Sequence, residues 1–255
     1  MDQSITRKKI LGIIPARGGS KGIPRKNINL LLGRPLIAYT IGPALKSRWI
    51  TDLVISSDDD MILAVGAYYG ARPLRRPYHL AIDTAHSIPV VYHALTEMER
   101  ETGITYDGVI MLQPTTPMRT SEDIDNALEK LFSTGADSII SVVESNGVNP
   151  EWMKHIVNDA LIDYDPTLPE MGRRQDALKL YIRNGAIYAA RAEHLKRRQS
   201  FKNGVCRPFV MPEARWVNID SLRDWALAEA LMQKEDWSWI KPAHDRSESV
   251  ATALA

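Results

Sequence analysis

Short apolar runs alternate with segments whose apolar residues recur at helical spacing, and this alternation is the strongest pattern in the chain. Lys9–Pro15 reads as a buried strand that feeds a glycine-rich loop. Pro35–Lys46 reads as a helix with Leu36, Ile37, Ile41, Ala44 and Leu45 on one side. Leu53–Ser57 is a short β-rich run, and Asp59–Tyr69 has a helical stripe through Ile62, Leu63, Val65 and Tyr69, ended by Gly70. Ser57 and Asp60 stand at capping-box spacing. Ile88–Glu101 follows as a helix, with Ser87 as its expected cap, Pro89 in its first turn and Gly103 past its end. Gly108–Leu112 reads as a strand, Ser121–Phe132 as a helix and Ser138–Val143 as a strand. Tyr181–Ala190 and Cys206–Met211 are two further β-like runs, and Ser221–Lys234 is a last helix.

Strands alternating with helices predict right-handed βαβ units on a mostly parallel sheet, an α/β fold. Ligands of such sheets gather at the carboxyl ends of the strands. The loops after Pro15, Ser57 and Leu112 are therefore the places to seek chemistry. The rhythm breaks between Glu144 and Met171, which hold three prolines and little periodicity. That is too long for a plain connection and predicts an excursion, at about 144–181, from a single domain spanning 1–255.

Composition narrows the picture. The chain has 255 residues, 44% hydrophobic and 25% charged, which is globular usage. Thirty-two Lys+Arg face 31 Asp+Glu, so net charge gives no reason to expect nucleic acid or a membrane surface as partner. No apolar run approaches the roughly 18 residues of a membrane span, and the run at Ile10–Pro15 is too brief for a secretory signal. The one cysteine, Cys206, excludes an intrachain disulfide and is expected to be a packed apolar residue. A reduced, cytoplasmic setting fits. The six histidines show no metal-ligand spacing.

The first loop, Pro15–Asn27, carries three glycines, one serine and the cations Arg17, Lys21, Arg25 and Lys26. Glycines allow close backbone approach, successive N–H groups can form an anion nest, and the cations suit a polyphosphate. The spacing matches neither a Walker A loop nor G-x-G-x-x-G. Ser56–Asp60 reads at least as well as plain helix capping. In Leu112–Thr120 two prolines fix the turn, and Gln113 can both donate and accept. Arg183–Tyr188, with Arg173, Arg174 and Gln175 upstream, and Trp216–Ser221, ahead of the last helix, complete the set.

The first loop strongly resembles the A-R-x-x-S-K-G-[IL]-x-x-K-N motif of the acylneuraminate (CMP-sialic acid type) cytidylyltransferases. The resemblance continues through Arg76-Pro77, Asp83-Thr84-Ala85, Leu112–Thr120 and Arg183–Tyr188, in order over almost the whole chain. It implies a three-layer, Rossmann-like nucleotidyltransferase fold with a small dimerisation subdomain, for which the excursion is the natural place. It implies a homodimer or a dimer of dimers with a shared active site. The implied reaction joins CTP and a nonulosonic acid of sialic, legionaminic or pseudaminic type, needs Mg²⁺, and releases pyrophosphate. By similarity Arg17, Lys21 and Lys26 are the catalytic cations. Arg17, Gly18, Ser20, Lys26, Asn27, Arg76 and Ser87 would hold the nucleotide. Gln113, Arg174, Asn184 and Tyr188 would line the sugar site, and Arg173, Arg174 and Arg183 are the candidates for its carboxylate.

Such a transfer needs no enzyme nucleophile, only alignment of two reactants and compensation of charge at phosphorus. One departure stands out. The family's metal-binding Asp-Ile-Asp is here Asn218-Ile219-Asp220. Strand-like alternation would put both side chains on one face, leaving a site with one fewer negative charge. The departure motivates a second reading, a nucleotide-sugar binding protein with weakened catalysis. A third is a sugar-1-phosphate nucleotidyltransferase using another base.

Overall fold

The computed structural model describes residues 8–82, 84–145, 149–168 and 179–243. Its centre is a seven-stranded sheet. In chain order the strands are β1 (Ile10–Pro15), β4 (Asp52–Ser57), β5 (Arg72–Arg75), β6 (Gly108–Met111), β7 (Ser138–Glu144), β10 (Tyr181–Arg191) and β11 (Cys206–Val210). Their spatial order is β11-β7-β10-β6-β1-β4-β5. Only β10 runs antiparallel to its neighbours.

Alternation along β1 decides the layers. Ile10 and Ile14 join one apolar cluster, whereas Leu11 and Ile13 join the other. The first cluster is closed by α1 (Ala38–Lys46), α2 (Asp60–Tyr68), α4 (Ser121–Ser133) and α6 (Leu222–Met232). The second is closed by α3 (Ser87–Thr102) and α5 (Ala192–Arg198). The result is the expected three-layer α/β arrangement with a mostly parallel sheet.

Several local expectations change. Pro35 does not start a helix: Leu30–Leu31 (β2) and Arg34–Pro35 (β3) pair across Leu32 and Gly33, both at positive φ, as a two-residue hairpin turn requires. The cap of α2 is Asp59, whose side chain accepts from the Ile62 N–H, not Ser57. Ser57 Oγ instead accepts from the Asp59 N–H. Ser87 is the first residue of α3 and follows His86, which caps without its side chain. Cys206 is exposed because β11 is an edge strand, so it is no core residue. The strand β5 and the seven-residue α5 were not anticipated.

The excursion contains a separate hairpin, β8 (Lys154–Val157) with β9 (Ala160–Asp163), turning at Asn158 and Asp159 with positive φ. Every residue of both strands is exposed. Among the described residues, no helix is long and apolar enough to cross a membrane.

Candidate active site

The first loop is shaped by the carboxyl end of β4. Ala16 N–H donates to Ser56 O at 3.0 Å and Gly18 N–H donates to Asp58 Oδ1 at 3.0 Å. Asn27 Nδ2 donates back to Arg17 O at 3.0 Å, closing the loop on itself. A Cβ on Gly18 would lie 2.9 Å from Asp59 Cβ, and one on Gly22 only 2.1 Å from the backbone oxygen of Asp220. Both glycines are therefore demanded by close packing. Gly18 spends its N–H on Asp58, so the expected phosphate contact there is not supported by the geometry.

Lys26 joins this loop to the far end of the chain. Its side chain is buried, and Nζ donates to Ile219 O at 2.5 Å and to Asp220 Oδ1 at 2.9 Å. An ammonium has three N–H bonds, which leaves one for a ligand. The Asp220 segment is itself moored by Ile219 N–H to Thr115 O at 2.8 Å. Arg215, three residues ahead of Asn218, makes a two-pronged bond to Asp123 at 2.5 and 2.9 Å. Asn218 and Asp220 are both exposed while Val217 and Ile219 are buried, so the expected alternation holds outside any ladder. Asn218 Nδ2 donates to Asp220 Oδ2 at 2.6 Å.

These elements enclose a cleft of about 300 Å³, lined by Arg17, Ser20, Lys26, Asn27, Arg76, Ser87, Gln113 and Asp220 among others. Arg76 is almost wholly buried in its wall, held by Ser56 Oγ at 3.2 Å and Ser56 O at 2.7 Å. Burial pulls its pKa down to about 10; Asp58 works against that shift, and the neighbouring Arg17 charge adds to it. Two guanidinium groups near enough to repel each other make a field suited to a polyanion. Lys21 is exposed and does not line this cleft.

A second cleft of about 390 Å³ adjoins the first through Ser87 and Gln113, which line both. Tyr188 and Arg183 belong to it. Burial raises the Tyr188 pKa, and Arg183 opposes that shift. Asn184 does not face either cleft. Its Oδ1 accepts from Ser141 Oγ at 2.6 Å and from the Ala186 N–H at 3.2 Å, and its Nδ2 points at Met211 Sδ. It thereby builds the irregularity of β10 between Arg183 and Tyr188, where Gly185 has φ +80°. The expected sugar contact by its side chain is replaced by a structural role. Arg173 and Arg174 lie outside the described residues.

Arg119 carries no signal of its own in the sequence beyond its place in Leu112–Thr120. It is 1% exposed and holds the Gln113 turn by donating to Gln113 O, Thr116 Oγ1, Ala186 O and Thr40 Oγ1. Burial lowers its pKa to about 9, opposed by Asp123. Asp58, Arg215, Phe201 and Lys202 likewise support or line the clefts without a signal in the sequence. No periodicity marks these positions: the partners of Asp58 and Arg215 lie far away in sequence, and Phe201 and Lys202 come to the second cleft on the loop after α5.

The fold and the cleft define a nucleotidyltransferase-type α/β protein. Its fold is shared with a solved CMP:2-keto-3-deoxy-manno-octonic acid synthetase complexed with CTP, at TM-score 0.67 and 19% identity, covering 90% of this chain and 100% of that one. The chain belongs to the cytidylyltransferase family, whose model matches residues 11–234. It is 35% identical to the CMP-N,N'-diacetyllegionaminic acid synthase of Legionella pneumophila over 88% of this chain and 97% of that protein. It is 34% identical to a pseudaminic acid cytidylyltransferase of Campylobacter jejuni, covering 88% of this chain and 96% of the relative. It is 33% identical to an Escherichia coli N-acylneuraminate cytidylyltransferase over 90% of this chain and 54% of that protein.

Replacing Gly22 with Ala will force the first loop away from Asp220. Because misplacement by about 1 Å can cost roughly 10²-fold in rate, turnover should fall by about that factor. An unchanged rate would show that the contact does not set the site.

Proposed function

We propose that this protein transfers CMP from CTP to the anomeric hydroxyl of a nonulosonic acid. The observation that carries the reading is the pair of joined clefts. One is walled by Arg17, Lys26 and Arg76; the other has an apolar floor; Gln113 stands between them. The names of the three relatives supply the acceptor class. In the reaction the anomeric oxygen bonds to the α-phosphorus of CTP, the bond from that phosphorus to the bridging oxygen breaks, the hydroxyl proton is lost, and pyrophosphate leaves. Arg17 and the remaining Lys26 N–H face the triphosphate and compensate the charge that grows on the leaving group. Ser20 lines the same cleft and also faces the triphosphate, Asn27 closes the loop that carries them, and Ser87 and Arg76 hold the nucleoside end. Lys21, exposed on the same loop, meets substrate only if the loop closes on it. Gln113 and Tyr188 border the sugar.

We place Mg²⁺ at Asp220, with Asn218 beside it. Hard oxygen donors fit this ion, and it commonly takes one or two carboxylates together with water and substrate phosphates. Among the described residues, no group of three acidic, histidine or cysteine side chains would hold a metal by itself. The donor set therefore fits an ion that arrives with the nucleotide. The ion would neutralise the triphosphate. Asn218 presents its Nδ2 to Asp220, and bringing its oxygen to a cation requires turning that amide.

We also read the β8–β9 hairpin as a dimer contact within the proposed excursion. An isolated two-stranded hairpin is marginal in water, yet this one exposes Ile156, Leu161, Ile162 and Tyr164. A partner copy that covers those side chains accounts for both facts. The exposed thiol of Cys206 suits a reducing compartment, and with it the cytoplasm.

Incubation with CTP, Mg²⁺ and a panel of nonulosonic acids should release pyrophosphate with at least one sugar, and Arg17→Ala should lower that rate by about 10² or more. Silence with every sugar overturns the reading. Asn218→Asp should reduce the Mg²⁺ needed for half-maximal rate by roughly tenfold, the scale on which altered ligand shells change metal affinity; an identical titration removes position 218 from the metal. In sedimentation the wild type should run as a dimer or larger and Leu161→Asp as a monomer. A dimeric variant would move the interface elsewhere.

A further inference from the structure

The second cleft is chemically lopsided. Its floor includes Ile88, Met111 and Ile140, and Tyr188 and Phe201 meet there with ring centroids 5.7 Å apart at 51°. Two permanent cations, Arg183 and Lys202, share the lining, and none of the described lining residues is acidic. Arg183 stands near the Tyr188 phenol, whose ionisation it favours. Lys202 reaches the lining from the loop after α5.

That loop is built to hold Lys202 where it is. Gln199 ends α5 in the left-handed region at φ 45°. Ser200 Oγ then accepts from the N–H groups of both Lys202 and Asn203, at 3.0 and 3.2 Å. Phe201, beside it, is buried, and its carbonyl takes the Ser138 hydroxyl proton at 2.7 Å. Val205 N–H closes the loop on Asp137 Oδ2 at 2.8 Å. A long cationic side chain is thus fixed at its root and set over an apolar pocket.

We infer that Lys202 is a specificity-determining residue that selects, by charge, an acylamino substituent of the sugar acceptor that enters this cleft. The inference rests on the proposed transfer to a nonulosonic acid; the sugars named for two of the relatives carry acylated amines. The aromatic pair and the aliphatic floor take the carbon part of the acyl group. The ammonium then favours a carbonyl, hydroxyl or carboxylate oxygen at its end. It disfavours a substituent that is itself cationic, because two like charges near a protein surface repel by an amount that falls with salt.

The test uses two acceptors alike except at that nitrogen, one bearing an acetyl group and one an acetimidoyl group. The pair is matched in size, but the amidine is protonated at neutral pH. Pyrophosphate release is followed for the wild type, Lys202→Met and Lys202→Glu. The wild type should prefer the amide in kcat/KM by about five- to tenfold at low salt. Lys202→Met should shrink that preference, leaving the part due to Arg183, and Lys202→Glu should abolish or invert it. The KM for CTP should be the same in all three, which also shows that the variants are folded. An amide-to-amidine ratio equal in the three proteins overturns the role of Lys202 while leaving the transfer reaction standing. Absence of pyrophosphate with both sugars overturns the reaction and the inference together.

Discussion

The site depends on one buried ammonium. Lys26 sits on the first loop, and its bonds to Ile219 and Asp220 span 193 and 194 positions of sequence. A buried charge without partners would cost several kcal/mol, so the loop and the segment ahead of α6 are stable only together. That constraint explains why Gly22 has no room for a Cβ and why the Asp220 segment is held again at Thr115. It also puts a carboxylate against a basic loop without neutralising it, because Arg17 and Arg76 stand in the same cleft wall.

The rest of the scaffold serves that junction with polar groups placed under the surface. Arg119 grips the Gln113 turn from below, Arg215 ties the last segment to the capping box of α4, and Asp58 spans from the end of β4 to Gly18. Arg119 and Arg215 are each held by several oxygens, as burial demands. None of them faces the reacting groups, yet each fixes the backbone of a residue that does. Rigid support of this kind suits a reaction that needs alignment and charge compensation rather than a nucleophile supplied by the enzyme.

The two clefts divide the labour by chemistry. The first is polar and cationic, as a triphosphate requires. The second pairs aliphatic and aromatic side chains with cations on its wall, as an acylated sugar acid requires. Gln113 and Ser87 belong to both, so in the proposed transfer the reacting hydroxyl and the phosphorus centre would meet at their boundary. The exposed β8–β9 hairpin stands apart from this arrangement.

Much of this was legible along the chain. Period-two and period-3.6 patterns located the main strands and most helices, because β1, β4, β6 and β7 are buried on both faces and read as continuous apolar runs. Glycines and cations packed into one loop announced a polyanion site, since few other uses need that combination. The Asn158-Asp159 turn carried a hairpin signal that the prolines around it obscured. Sequence alone could not say that Asn184 turns inward, that Gly18 spends its N–H on Asp58, or that Arg119 and Arg215 hold the turns beside the cleft. Those facts are pairings between positions far apart in the chain, and periodicity records only which way a side chain faces, never which distant atom it meets. Local pattern therefore determined the elements and the charge of the site, and tertiary packing decided which groups are consumed in building it and which are left for a ligand.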